Sequence, residues 1–104
     1  MKIVGITACI AGIAHTYMAA ANLKKFAKKE NYEIKIETQG AMGIENELTQ
    51  AEIDEADVVI FAVDTTVQNE DRFVGKKILE VGTSKVVKDG KSTIEDAIKL
   101  ARGE

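Results

Sequence analysis

The sequence predicts an α/β domain: a four-stranded parallel sheet in the order 2-1-3-4, helices on both faces, and a P-loop-like phosphate-binding turn after the first strand. Three observations lead there. Apolar runs alternate with helix-patterned stretches, which implies right-handed βαβ units. Two of the runs are apolar almost throughout, as strands covered on both faces are. A third alternates apolar and charged residues, as a charge-protected edge strand does.

Residues 2–7, "KIVGIT", form the first strand, short and rich in β-branched side chains. Residues 14–30 follow as a helix, with Leu23, Phe26 and Ala27 on one stripe, several alanines, and lysines near the end. Residues 33–38, "EIKIET", alternate, so that Ile34 and Ile36 face inward while Glu33, Lys35 and Glu37 face out. "TQAE" at 49–52 reads as a capping box, in which hydroxyl and glutamate each satisfy the other's free backbone N–H. Residues 57–63, "DVVIFAV", form the central apolar strand, and 77–81, "KILEV", a fourth. "STIE" at 92–95 reads as a second capping box, opening a helix with Ile94, Ala97, Ile98 and Ala101 on one side and ending at Gly103.

Composition narrows the function. The 104 residues suffice for one domain, 1–104, and the 45% hydrophobic and 30% charged content is that of an ordinary soluble protein. A net charge of −3 argues against nucleic acid as a partner. Lys24, Lys25, Lys28 and Lys29 fall where cations suit the negative end of the helix dipole, so they read as a solvated face. One cysteine and one histidine exclude an internal disulfide and a multi-ligand zinc site built on them; neither metal nor cofactor is expected. The start, "MKIVGITAC", lacks the pattern of a secretory signal and is too short to span a bilayer; with the free thiol, this points to the cytoplasm.

In doubly wound sheets, ligands bind outside the strand carboxyl ends where the strand order reverses. With the order 2-1-3-4, that point is the loop after the first strand, "ACIAGIAHT" at 8–16. Backbone N–H groups of such a turn and of the helix's first turn make an anion cradle, formed here by Ile10, Ala11, Gly12, Ile13 and Ala14. Gly12 lets the backbone curl without a Cβ clash. Cys9 at its mouth would be favoured as a thiolate and be nucleophilic. The spacing C-x5-H-T parallels the C-x5-R of tyrosine phosphatases, followed there by a hydroxyl residue, with His15 in place of arginine and Thr16 as the hydroxyl. An imidazole offers one donor where a guanidinium offers a fork, so this site suits passing a phosphoryl group onward more than hydrolysing it.

Each residue also has a plainer reading. Cys9 is core filler, His15 an exposed first-turn residue, and Thr16 a hydroxyl that starts the helix. Gln39, Gly40 and Gly43 after the second strand, Asp64 at the end of the third and Arg72 beyond it are candidates for contacts behind the loop or for partner docking. Their alternative is turn chemistry for the glycines and a surface ion pair between Asp64 and Arg72.

"ACIAGIAHTYMAA" resembles the loop of the fructose-type enzyme IIB domains of the bacterial sugar phosphotransferase system, usually C-P-T-G-I-A-H-T-Y-M-A. The resemblance continues through "IETQGAMGIENELT" (36–49), "ADVVIFAVD" (56–64) and "RFVGKKILEV" (72–81), so it covers essentially the whole chain. It implies a four-stranded parallel sheet flanked by helices. It also implies that Cys9 takes a phosphoryl group from a phosphohistidine on a IIA domain. Cys9 then gives the group to a sugar, fructose in the best-known branch, held by the membrane-embedded IIC component. Ile10 and Ala11 stand where the family has proline and threonine. The proline's absence frees φ at residue 10 and restores an N–H; the threonine's absence removes a hydroxyl donor.

Two rivals stay open on the residues alone. A phosphatase built on the same loop would need a forked donor and a general acid, which Arg72 and Asp64 could supply. A flavodoxin-like module would bind a cofactor phosphate there, although Tyr17 and Tyr32 are the only tyrosines and tryptophan is absent.

Overall fold

The computed structural model describes residues 1–9, 13–40 and 43–103, with the side chains of Ile13 and Ala14 excepted. Strands β1 (Lys2–Ala8), β2 (Glu33–Gly40), β4 (Val58–Val63) and β5 (Ile78–Val81) run parallel, and β3 (Gly43–Glu45) runs antiparallel to β2. The sheet order is β3-β2-β1-β4-β5. Helices are α1 (Ile13–Lys29), α2 (Gln50–Glu55), α3 (Thr83–Lys88) and α4 (Gly90–Ala101), with a 3₁₀ turn at Glu70–Phe73.

The central strands are covered on both faces. Ile3, Ile36, Val58, Ile60 and Ala62 pack under α1, α3 and α4 with Leu23, Val86, Ile94 and Ile98. Val4, Ile6, Val59 and Phe61 point the other way, onto Leu48, Ile53, Val67 and Phe73. There Phe61 and Phe73 meet edge to face, with ring centroids 5.1 Å apart. Strand spacing leaves no room for a side chain at Gly5, where a Cβ would lie 2.8 Å from Ile36 Cδ1 and 3.2 Å from the Ile60 carbonyl oxygen.

Three expectations need correcting. The sheet is five-stranded and mixed rather than four-stranded and parallel, because the chain turns back after β2 to add β3. β2 is therefore not an edge strand. Glu37, expected to face solvent, has no exposed surface; Arg72 from the 3₁₀ turn reaches across to neutralise it. The second capping box is absent. Asp89 caps α4, its side chain accepting the Ser92 N–H at 3.1 Å, so Ser92 is the third helical residue and not the cap.

Other local readings hold. At α2 the Glu52 N–H donates to Thr49 Oγ1 at 3.1 Å and the Thr49 N–H to Glu52 Oε1 at 2.9 Å, completing the predicted box. Lys24, Lys25, Lys28 and Lys29 are exposed. α4 ends one residue before Arg102, whose partner Gly103 turns the chain away. The Asn22 side chain of α1 donates to the Val86 and Val87 carbonyls at 2.7 and 3.3 Å, which satisfies two acceptors at the end of α3.

Candidate active site

Parallel pairing brings the carboxyl ends of β1, β2 and β4 together. Ala8 is level with Gln39 on one side and Val63 on the other, so Cys9 emerges between Gly40 and Asp64. Cys9 is half-buried. It borders a depression of about 240 Å³ whose other walls are Ala8, Gln39, Gly40, Thr65, Thr66 and Gln68. A roomier groove of about 590 Å³ between α1 and α4, bordered by Phe26, Tyr32, Ile94 and Ile98, holds none of the candidate residues.

α1 begins four residues after Cys9, and its first turn carries no acidic residue to cancel the positive end of the dipole. His15 is exposed in that turn. Thr16 is buried and is the fourth residue of α1, so it does not start the helix. The hydroxyl of Tyr17 donates to Glu45, tying this end of α1 to β3. Of the predicted cradle, Ile10, Ala11 and Gly12 lie outside the described residues, as do the side chains of Ile13 and Ala14.

Asp64 follows β4, with its N–H on the Ala8 carbonyl at 2.9 Å. The Thr83 hydroxyl donates to Oδ2 and the Thr83 N–H to Oδ1 at 3.1 Å. The Thr83 hydroxyl is the main cause of the carboxyl's downward shift. Burial opposes it, while the Thr83 N–H, a hydrogen bond from the Cys9 thiol and the charge of His15 add to it.

Gln39 is buried and both ends of its amide are taken. Oε1 accepts the Gln68 N–H at 2.8 Å; Nε2 donates to Glu37 Oε2 at 2.6 Å and to the Gln68 carbonyl at 3.1 Å. Behind it, Arg72 grips Glu37 with Nη1 on Oε1 at 2.8 Å and Nη2 on Oε2 at 3.0 Å, and the Leu48 N–H adds a bond to Oε1 at 2.9 Å. Burial pushes the Glu37 carboxyl up, but Arg72, Leu48 and Gln39 together outweigh it and leave a net downward shift.

The candidates thus divide. Cys9, Gln39, Gly40 and Asp64 come together with His15 nearby. Arg72 does not border the depression; it stands behind Gln39 and pairs with Glu37, so the surface ion pair expected between Asp64 and Arg72 is absent. Gly43, grouped with Gln39 and Gly40 in the sequence, begins β3 and does not border the depression either. Glu37, Thr65, Thr66, Gln68 and Thr83 were not foreseen. The "DTT" that follows the central strand was the available signal, since hydroxyls just past a strand end sit at the binding edge. Nothing in the alternation of β2 marked Glu37.

Known proteins decide what this edge belongs to. The family model described as "PTS system, Lactose/Cellobiose specific IIB subunit" matches residues 4–96. The chain belongs to the IIB family of the phosphotransferase system. It is 49% identical over 87 residues to the PTS system fructose-like EIIB component 2 of Escherichia coli K12, covering 84% of this chain and 82% of that one. It is 46% identical over 100 residues to the fructose-specific EIIB'BC component of Xanthomonas campestris, covering 96% of this chain and 17% of that longer protein. A crystal structure of a domain from the fructose-specific IIABC component of Borrelia burgdorferi superposes with a TM-score of 0.89 at 47% identity, covering 94% of this chain and 93% of that one. As a IIB component, the chain is a phosphotransferase of sugar uptake. Among the described residues no helix is long and apolar enough to cross a membrane.

Proposed function

We propose that Cys9 is the residue that carries the phosphoryl group. It takes the group from a phosphohistidine on a IIA partner and passes it to a sugar held by the membrane-embedded IIC component, with residues 1–104 acting as one IIB domain. The observation that carries this reading is the position of Cys9: half-buried beside an open depression, just past the central strand and before the N-terminus of a 17-residue helix. A sulfur nucleophile there meets fixed donors and a favourable dipole, while its surroundings restrict the direction of approach. Both transfers are in-line displacements in which positioning and charge stabilisation carry most of the catalysis. Ile10, Ala11, Gly12, Ile13 and Ala14 offer main-chain N–H groups to the phosphoryl oxygens, with His15 and Thr16 beside them. The fructose names of the relatives support fructose as the sugar. Contact with IIC would hold the domain at the inner face of the membrane.

The hydrolase reading loses support, because its forked donor, Arg72, is committed to Glu37 and its acid, Asp64, is held in the ionised form. The test is labelling by a phosphorylated IIA domain, followed by mass spectrometry under conditions that preserve labile phosphates. Label on Cys9 of the wild type, none on Cys9→Ser and slower labelling of His15→Gln are expected. Undiminished labelling of Cys9→Ser, or rapid release of inorganic phosphate from the wild type, overturns the reading.

A further inference from the structure

The Asp64 carboxylate is an unexpected neighbour for a group that must receive a phosphoryl anion. Cys9 and Asp64 each follow the last paired residues of adjacent strands, Ala8 and Val63, and the Asp64 N–H on the Ala8 carbonyl locks them side by side. The carboxylate cannot swing away. Thr83, fully buried at the start of α3, holds both of its oxygens, and Gly82 lies so close that a Cβ there would be 3.3 Å from Oδ1. The thiol of Cys9 donates a hydrogen bond to this carboxylate, and His15 is the cation near it. The remaining wall of the depression, Gln39, Gly40, Thr65, Thr66 and Gln68, has no ionisable group.

We infer that Asp64 is a positioning residue that keeps the phosphoryl group on Cys9 transferable. It holds the unloaded thiol through a hydrogen bond and sets a fixed negative charge against the loaded sulfur. This rests on Cys9 being the carrier. On loading, a sulfur electron pair forms the S–P bond as the N–P bond of the donor breaks, and the thiol hydrogen ends on the donor nitrogen. Asp64 thereby loses a hydrogen-bond donor and faces a thiophosphate bearing up to two negative charges. The repulsion exists only in the loaded state, at a partly buried site where water screens it incompletely. Helix dipole and main-chain donors make the phosphoryl group welcome; Asp64 stops it from being held too tightly, which a carrier requires and a terminal acceptor does not.

Asp64→Asn removes the charge at constant shape, since the amide oxygen still accepts the Thr83 N–H and the amide nitrogen can donate to the hydroxyl. Wild type and variant are equilibrated with a phosphorylated IIA domain, and the loaded fraction is read by intact-mass spectrometry. The equilibrium is expected to shift about 10-fold towards loaded Cys9 in Asp64→Asn, with slower loss of the group afterwards. Thr83→Val, which frees the carboxylate to turn outward, is expected to shift it the same way by roughly 3-fold. A purely structural role would lower loading, never raise it. An unchanged or reduced loaded fraction in both variants, with wild-type Cys9 labelled normally, overturns the role of Asp64 and leaves the carrier reading standing. Absence of label on wild-type Cys9 overturns both.

Discussion

Replacing Glu37 by glutamine tests whether charge, rather than shape, holds the wall behind Cys9. The carboxylate receives four hydrogen bonds, two from Arg72 and one each from Leu48 and Gln39. An amide at this position turns one acceptor oxygen into a donor, and every group facing it is a donor. Gln39 cannot flip to accommodate it, because both ends of its amide are engaged by the Gln68 main chain. Breaking a buried ion pair costs about 3–5 kcal/mol. The lower end applies, since Arg72 keeps the Leu48, Gln68 and Asn69 carbonyls as acceptors. A loss of about 3 kcal/mol lowers the melting temperature by roughly 12–24 °C in a domain of this size. Urea unfolding and calorimetry read it directly, and a loss under about 1 kcal/mol would refute the reasoning. Sign follows from the downward shift at Glu37. Its contribution is complete above the ordinary glutamate value of 4.5 and drains away as pH falls through the depressed folded value. Glu37→Gln should therefore lack that part of the wild type's acid sensitivity.

Gly5→Ala should cost about 1–3 kcal/mol, because the new methyl meets Ile36 and a main-chain oxygen of β4 that cannot retreat; chemical denaturation measures it. Asp89→Ala should cost about 1 kcal/mol through loss of the α4 cap, while Ser92→Ala should be near neutral. The reverse ranking in thermal melts would restore the capping box that the structure lacks.

The alternation of apolar strands and helical stretches was legible because burial on two faces and on one face write different periods. The place of Cys9, Gln39, Gly40 and Asp64 was legible too, since parallel strands deliver their carboxyl ends to one edge. What escaped is what long-range contact decides. β3 spans only three residues and carries no periodicity. Glu37 sits at a position the alternation assigns to solvent, and only an arginine 35 residues away makes its burial tolerable. Asp89 competed with Ser92 for one helix start, and both satisfy the local rule. Thr83 followed a strand without any local mark of its bond to Asp64.

The ladders β1–β2 and β1–β4 make the sulfur's surroundings a rigid socket, because its walls are the ends of strands that cannot slide without breaking the sheet. On the carrier reading, delivery and collection then use the same mouth. Donor and acceptor must take turns there, and traffic through the domain is paced by how quickly each visitor leaves.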